Sequence, residues 1–262
     1  MSNIERLEQI GDTYAHVYLS PHLDDAILSC GGAIARQAAS GERVLVVAIC
    51  TAAPRPEGPF NAIAQELHNT WGLDPAEVVT ARLREDSLAM EMVGADSYHA
   101  GMLDAIYRYP DAYATRETLF GTPAADDPLW QQLRLFVSDL CDRTPRAKIY
   151  APLAIGDHVD HQITFAVARD SRPGANAFYE DFPYAAKPRA VESRLQTLKL
   201  VLTPVNTDIS DTINRKISAI AAYSSQLQEL FGGAGAMAES VASFAGAISP
   251  GGCIERVWVR GN

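Results

Sequence analysis

The stretch that decides the fold is AHVYL at positions 15–19, followed directly by SPHLDD at positions 20–25. The apolar run predicts a short buried strand, and the residues from Ala26 onward (AILSCGGAIARQAAS) predict a helix. A strand that ends in His-x-Asp-Asp at the start of a helix is where an open α/β fold builds its chemistry. Because one imidazole and two carboxylates are costly to hold so close together without a positive charge, a divalent metal ion is the simplest partner for them.

Strand-like and helix-like segments alternate through the first two-thirds of the chain, which is typical of βαβ units and a parallel sheet. Besides residues 15–19, the predicted strands are Arg43–Ile49, Asp96–Ala100 and Lys148–Ala151. The predicted helices are Ala26–Ala39, Pro75–Val93 and Pro128–Cys141. Asp74 is the predicted N-cap of the second of these helices. We therefore expect a single α/β domain over residues 1–262, with a Rossmann-like, mostly parallel sheet flanked by helices.

Three segments interrupt this alternation, and the first, Ala52–Phe60, is predicted to be a Pro-rich loop. Tyr109–Asp127 is polar, contains Gly and Pro, and predicts a surface insertion. Gly232–Gly252 is rich in Gly, Ala and Ser and is a candidate for a mobile flap. Late strands are expected at Leu198–Pro204 and Ile254–Arg260, with a helix over residues 208–230 between them.

The composition is that of a soluble globular protein, with 47% hydrophobic and 21% charged residues in a chain of 262. No run approaches the roughly eighteen apolar residues of a membrane span, and the acidic N-terminus does not resemble a secretory signal. The four cysteines stand singly, which is typical of reduced thiols in a cytoplasmic protein. The net charge of −10 gives no support for nucleic-acid binding and is compatible with a neutral or cationic small-molecule substrate.

A second cluster, GDHVDH at positions 156–161, also follows a predicted strand and precedes a helical pattern. Because the carboxyl ends of parallel strands open at the same edge of a sheet, we expect His158 and His161 to converge on His22 and Asp25. Two histidines and one carboxylate leave an open coordination position, as in catalytic zinc sites, and non-haem iron shares this ligand set. A carboxylate beside the ligands can then take a proton from the attacking water, although a helix-capping role is an alternative for either aspartate of the first motif.

The two clusters resemble the paired motifs of the PIG-L (LmbE-like) deacetylase family, a His-Pro-Asp-Asp-Glu-type motif and a later His-x-Asp-His. Here they stand as HLDDA at 22–26 and HVDH at 158–161. Further segments that match the family are RLRE (82–85), MVGA (92–95), LDAIYR (103–108), YEDFPY (179–184), Lys216 and AYSSQL (222–227). Leu23 replaces the usual proline and Ala26 the usual glutamate, which leaves the ligands in place but alters the loop and the start of the helix.

The resemblance implies an LmbE-like zinc N-deacetylase, with another divalent metal such as Fe²⁺ as an alternative, whose ligands are His22, Asp25 and His161. It implies that Asp24 is the general base. Zn²⁺ and His158 would stabilise the oxyanion, and Asp160 would orient His158. Arg82 and Asp104 match family positions that contact the substrate.

The implied substrate is an N-acyl, usually N-acetyl, amino sugar or glycoconjugate. An amidase that cleaves a larger thiol- or antibiotic-type conjugate is an alternative, because only the pocket walls distinguish the two. A catalytically inactive binder of small molecules is a third possibility. The family includes self-associating members, so a homo-oligomer is also left open.

Several residues also have a structural interpretation. Arg82 could pair with Asp86 on a surface helix, and Asp104 could cap a turn. The aromatic residues among positions 178–184 are more typical of a core than of a platform for sugars. The sequence CGG at 30–32 lacks the spacing of a dinucleotide-binding loop, so we expect its glycines to serve close packing inside the helix.

Overall fold

The computed structural model describes residues 2–58, 60–71, 75–172, 176–249 and 251–261. Its strands are β1 (Asn3–Ile4), β2 (His16–Ser20), β3 (Val44–Cys50), β4 (Asp96–Met102), β5 (Lys148–Pro152), β6 (Ala177–Tyr179), β7 (Leu202–Asp208) and β8 (Ile254–Arg260). Its α-helices are α1 (Asp25–Ala39), α2 (Ala62–Trp71), α3 (Pro75–Val93), α4 (Ala105–Arg108), α5 (Arg116–Leu119), α6 (Leu129–Arg143), α7 (Val159–Ser171), α8 (Ala190–Thr197), α9 (Ile213–Ala221), α10 (Ser224–Phe231) and α11 (Ala234–Gly246).

The described strands form one sheet in the order β1-β4-β3-β2-β5-β6-β8-β7. Neighbours from β1 to β6 are parallel, whereas β8 runs antiparallel to both β6 and β7. From β2 the chain adds strands toward one edge of the sheet as far as β4, and from β5 it adds strands on the other side of β2. The carboxyl ends of the parallel neighbours β2 and β5 therefore border the crevice where open α/β sheets bind ligands. The predicted Rossmann-like, mostly parallel sheet is confirmed.

The centre of the sheet is covered on both faces. Strands β2 and β3 are apolar and almost wholly buried, as expected for parallel strands between layers of helices. Helix α1 packs closely on one face, where a Cβ at Gly32 would lie 2.6 Å from Cδ1 of Ile209. Because any side chain would clash there, glycine serves close packing, as the sequence predicts.

The second half of the chain departs from two predictions. The single helix predicted over residues 208–230 is wrong, because α9 and α10 are separate helices with Tyr223 between them. The buried Tyr223 hydroxyl donates to the carbonyl of Leu23 at 3.0 Å and to Oδ1 of Asp86 at 2.8 Å. These contacts anchor the break between the two helices to the layer around α1 and α3.

The strand predicted at Leu198–Pro204 is also misplaced, because β7 begins at Leu202 and runs to Asp208. It pairs with β8 along its whole length at the edge of the sheet, and most of its residues are exposed. The mostly exposed strand lacks the clear apolar alternation that marks a half-buried strand. By contrast, α3 and β8 have the predicted bounds, while the predicted cap Asp74 lies outside the described residues.

Two of the predicted irregular segments contain regular structure. Helix α5 lies within the predicted insertion, which also buries Tyr113 and Asp127. Helix α11 lies within the predicted flap and packs Met237 and Val241 into the interior. Their roles as insertion and flap stay predictions.

Two features of the described residues concern the cysteines and the lengths of the apolar helices. The four cysteines are free thiols, as expected from their isolated positions in the sequence. Among the helices that the structure describes, none combines the length and apolarity needed to cross a membrane.

Candidate active site

The two sequence clusters meet at the carboxyl ends of β2 and β5. Oδ2 of Asp25 lies 3.2 Å from Nδ1 of His22 and 3.2 Å from Nε2 of His161. Each of the three residues offers one atom that can bind a metal ion, and these three atoms all lie within 4.8 Å of one another. A mostly buried set of two imidazoles and a carboxylate fits Zn²⁺ or non-haem Fe²⁺.

The loop that carries the first cluster is held by Ser20. Its hydroxyl donates to the carbonyl of His22 at 2.6 Å and accepts the N–H of Ala26 at 3.0 Å. The N–H of His22 donates to Oδ2 of Asp25 at 2.8 Å. Asp24 occupies the N-cap position of α1, but its side chain makes no capping hydrogen bond, so the capping interpretation of Asp24 is wrong.

The nitrogen of His161 that faces away from Asp25 is held by Asp181. Oδ1 of Asp181 lies 2.7 Å from Nδ1 of His161, and Oδ2 accepts the N–H of Ile155 at 2.9 Å. A carboxylate in this position fixes the orientation of a metal-binding histidine and makes its other nitrogen a stronger ligand for the metal. Asp181 is not among the site residues predicted from the sequence, although it follows β6, the parallel neighbour of β5, and so lies at the same sheet edge.

His158 presents a hydrogen-bond donor to the cleft. It is the N-cap residue of α7, and its Nδ1 accepts the main-chain N–H of Asp160 at 3.2 Å. Burial lowers the pKa of His158 to about 4, so the ring is neutral. Because Nδ1 accepts a hydrogen bond, the proton of the neutral ring lies on Nε2. The contact between Asp160 and His158 is made by the main-chain N–H of Asp160, and the orientation of His158 by Asp160 stays a prediction.

The carboxylate of Asp160 points toward other partners. It is completely buried, and Oδ1 lies 2.6 Å from Nη2 of Arg108. Oδ2 lies 3.3 Å from Nε2 of His22. Asp160 therefore acts on the first cluster of the site through its side chain and on His158 through its main chain.

Asp24 lies beside the three candidate ligands but outside their set. Nη2 of Arg82 donates to Oδ1 of Asp24 at 3.3 Å. Burial raises the pKa of Asp24 in spite of the opposing charge of Arg82, which suits a group that accepts a proton. The alternative pairing of Arg82 with Asp86 is not the arrangement of the described residues, because Asp86 instead contacts Tyr223 and His99.

Asp104 has the capping role that the sequence left open. Its Oδ1 accepts the N–H of Ile106 at 3.1 Å and caps α4. Its Oδ2 lies 3.2 Å from Nε2 of His22, and the side chain also lines the cleft. Capping and a position in the cleft are therefore compatible, and contact with the substrate stays a prediction.

A cleft opens over these groups, and its walls come from distant parts of the chain. The polar wall residues beyond those described above are Arg116, Gln226 and Glu229. The apolar wall residues are Leu28, Ile63, Ile106, Leu119, Phe120, Phe182, Pro183, Tyr184 and Leu230. The interpretation of the aromatics as core is confirmed for Phe178, Tyr179 and Phe182, which are buried, although Phe182 also lines the cleft. Tyr184 is half-buried against the core and lines the cleft as well.

Known proteins resemble the chain along most of its length. The family model of GlcNAc-PI de-N-acetylase (PIG-L) matches residues 17–171, which include both motifs. A 2′-N-acetylparomamine deacetylase of Streptomyces fradiae is 29% identical over 219 residues, covering 80% of this chain and 73% of that protein. A 2′-N-acetylparomamine deacetylase of Niallia circulans is 28% identical over 242 residues, covering 84% of each protein.

Solved structures show the same relationship. A deacetylase of the teicoplanin biosynthesis pathway superimposes with a TM-score of 0.80 at 29% identity, covering 94% of this chain and 98% of that one. The zinc-inhibited form of teicoplanin deacetylase superimposes with a TM-score of 0.79 at 28% identity, with the same coverage. With a family model that spans both motifs and neighbours that span nearly the whole fold, the chain belongs to the PIG-L, or GlcNAc-PI de-N-acetylase, family.

Proposed function

We propose that this protein is a zinc-dependent N-deacetylase that acts on an N-acetylated amino sugar in a small molecule. The observation that carries the proposal is the division of the first motif: Asp25 joins His22 and His161, while Asp24 lies outside that set in the same cleft. One carboxylate is thus available as a ligand and another as a base. The relatives support the reaction class, since those named above are deacetylases of antibiotic biosynthesis or of N-acetylparomamine.

Three residues would hold the metal, His22 through Nδ1, Asp25 through Oδ2 and His161 through Nε2. When bound, a divalent ion polarises the substrate carbonyl and lowers the pKa of a water molecule toward neutrality. Because a solved form of teicoplanin deacetylase is described as zinc-inhibited, the choice between Zn²⁺ and Fe²⁺ is an experimental one. Acetate release by the metal-free protein after anaerobic addition of each ion tests it, and the proposal predicts the higher rate with Zn²⁺.

The protein's own groups would move the protons. Asp24, held by Arg82, takes a proton from the attacking water as the water oxygen bonds to the carbonyl carbon. His158 donates from Nε2 to the oxyanion that develops on the carbonyl oxygen. Asp24 then delivers its proton to the amide nitrogen as the C–N bond breaks, which gives acetate and a free amine.

The walls of the cleft support a sugar as the group that carries the amide. The rings of Phe120 and Tyr184 have centroids 6.2 Å apart and offer apolar surface beside the candidate ligands. Arg82 and Asp104 offer a donor and an acceptor at the base of the cleft for hydroxyl groups. Apolar faces combined with a few fixed polar groups are typical of sites for small molecules.

Acetate release from a panel of compounds tests the function. The panel contains N-acetylglucosamine, 2′-N-acetylparomamine and an N-acylated glycopeptide, and Asp24→Ala serves as the inactive control. The proposal predicts release from at least one of the N-acetyl sugars. Release of acyl groups from the glycopeptide alone would favour the alternative of an amidase for larger conjugates, and no release from any compound would contradict the proposal.

We place the enzyme in the cytoplasm, where its thiols would remain reduced. All four cysteines are free, and two of them are buried. The net charge of −10 favours a neutral or cationic small molecule over a nucleic acid as the partner.

A further inference from the structure

Arg108 forms a buried link between two carboxylates behind the cleft. Its side chain is 3% exposed, and those of Asp127 and Asp160 are 0% exposed. Nε and Nη2 of Arg108 donate to the two oxygens of Asp127 at 2.7 and 2.8 Å. Nη2 also donates to Oδ1 of Asp160 at 2.6 Å, and Nη1 donates to the carbonyl of Leu103 at 2.6 Å. Such a guanidinium is fixed in place by its hydrogen bonds.

The second oxygen of Asp160 faces the proposed metal site. Oδ2 accepts the N–H of Ala105 at 3.2 Å and lies 3.3 Å from Nε2 of His22. Because Arg108 occupies Oδ1, Oδ2 is left to accept a hydrogen bond from Nε2 of His22, beside Oδ2 of Asp104, which lies 3.2 Å from the same nitrogen. A proton on Nε2 leaves the lone pair of Nδ1 on the side of Asp25, where the other candidate ligands lie.

The positive charge of Arg108 balances the negative charges of two buried carboxylates. Asp127 and Asp160 are both inaccessible to water, and Arg108 is the cation that contacts each of them among the described residues. A buried carboxylate without a charged partner is strongly disfavoured, so the position of the Asp160 carboxylate beside His22 depends on Arg108.

Arg108 also connects the metal site with one wall of the cleft. Asp127 ends the segment 109–127, and its oxygens accept the hydroxyl of Tyr113 and the N–H of Leu129, both at 2.8 Å. The same segment supplies Leu119 and Phe120 to the cleft. The guanidinium of Arg108 therefore supports both His22, through Asp160, and this wall of the cleft, through Asp127.

We propose that Arg108 is a positioning residue that acts through Asp160 to set the tautomer and orientation of His22 for metal binding. The proposal rests on the metal site of the proposed function. In this role Arg108 does not contact the substrate but increases the affinity of the site for the metal. It also predicts that Arg108 and Asp160 act as one unit.

Metal affinity of the whole chain tests this inference. The dissociation constant for Co²⁺ is measured by competition with a chromophoric chelator for the wild type, Arg108→Gln, Asp160→Asn and the double variant. We expect each single change to weaken binding about 10- to 100-fold, as losses of outer partners of metal ligands do. The double variant is expected to bind as weakly as either single variant and no weaker, because the two residues act in series.

Two further variants separate positioning from a general loss of structure. Asp127→Asn removes the charge of the other carboxylate that pairs with Arg108. We therefore expect lower thermal stability, with a Co²⁺ affinity close to that of the wild type. Arg146→Gln removes an exposed arginine, 75% accessible and paired with Asp12, and is expected to change neither quantity. Arg108→Lys keeps a charge but loses the fork of donors, and it provides the comparison if Arg108→Gln does not fold.

The outcomes are distinguishable from those of the function assay. Wild-type affinity in Arg108→Gln or Arg108→Lys would overturn the inference, as would a fully additive loss in the double variant. Equal losses of affinity in Asp127→Asn and Arg108→Gln would also overturn it, because the effect would then be structural. A wild type that binds Co²⁺ but releases no acetate would contradict the proposed function and leave this comparison valid.

Discussion

Oδ1 of Asp181 lies 2.7 Å from Nδ1 of His161, on the side of the imidazole opposite to the carboxylate of Asp25. His22 has a similar arrangement, with Asp25 at Nδ1 and both Asp104 and Asp160 at Nε2. Each histidine of the candidate metal set therefore has one nitrogen near the shared Asp25 and the other near a buried carboxylate. Such outer carboxylates fix the rings of metal-binding histidines and favour one tautomer.

Asp181→Asn is expected to weaken Co²⁺ or Zn²⁺ binding about 10- to 100-fold, because the amide removes the charge that holds His161. Competition with a chelator measures the affinity. Asp170→Asn is the matched control, since this aspartate on α7 is 62% exposed and pairs with the neighbouring Arg169. Equal affinities of the Asp181 variant and the wild type would remove Asp181 from the site.

Asp24→Asn is expected to lower kcat for acetate release about 10²- to 10⁴-fold, the range attributed to positioned acids and bases. The side chain keeps its shape and its place beside Arg82 but can no longer take up the proton of the attacking water. The rate is measured under substrate saturation with added Zn²⁺. Turnover close to that of the wild type would contradict the assignment of Asp24 as the base.

His158→Ala is expected to lower kcat about 10²- to 10³-fold with little change in KM, because the donor acts on charge that develops in the transition state. His158→Gln restores an N–H donor and is expected to recover part of the rate. Steady-state kinetics of both variants measure the effect. A rise in KM at unchanged kcat would instead indicate a role in substrate binding.

Lys216→Met tests the packing of the fold independently of the site. Nζ of Lys216 lies 2.7 Å from Oε1 of Glu255, and both side chains are nearly inaccessible. Removing one partner of a buried ion pair is expected to lower the free energy of unfolding by about 3–5 kcal/mol, measured by urea denaturation. Arg146→Met, which breaks the exposed pair with Asp12, is expected to cost at most about 1 kcal/mol.

If Lys216→Met lowered the free energy of unfolding as little as Arg146→Met does, the result would contradict this prediction. Glu255 gives a further check, because its oxygens also accept the N–H groups of Gly32 at 3.0 Å and Ala33 at 2.7 Å. Adding Glu255→Gln to Lys216→Met removes the unpaired charge while keeping an acceptor. The double variant is therefore expected to be more stable than Lys216→Met alone.

Local signals were sufficient to predict the centre of the fold and the residues of both motifs. The strands β2 and β5 are apolar runs that end in polar clusters, and parallel strands bring those ends to one edge. Gly32 was correctly assigned to packing because no phosphate-binding pattern surrounds it. The family motif then separated Asp24 from Asp25, a distinction that spacing alone did not provide.

Contacts between residues far apart in the sequence were beyond these signals. Asp181 reaches His161 across 20 residues, and Arg108 reaches Asp160 across 52. Exposed β7 lacked a clear periodic pattern of apolar residues, and the break at Tyr223 depends on partners in the α1 and α3 regions. The sequence does not show which aromatic side chains face a cleft, so the positions of Phe182 and Tyr184 in the cleft lining could not be predicted from it.

The central claim is that His22, Asp25 and His161 hold the metal while Asp24 does not. The metal content of purified His161→Ala and Asp24→Ala, measured side by side by elemental analysis after equal loading with Zn²⁺, tests this most directly. We expect near-stoichiometric zinc in Asp24→Ala and little or none in His161→Ala. Full occupancy in His161→Ala, or loss of zinc from Asp24→Ala, would contradict it.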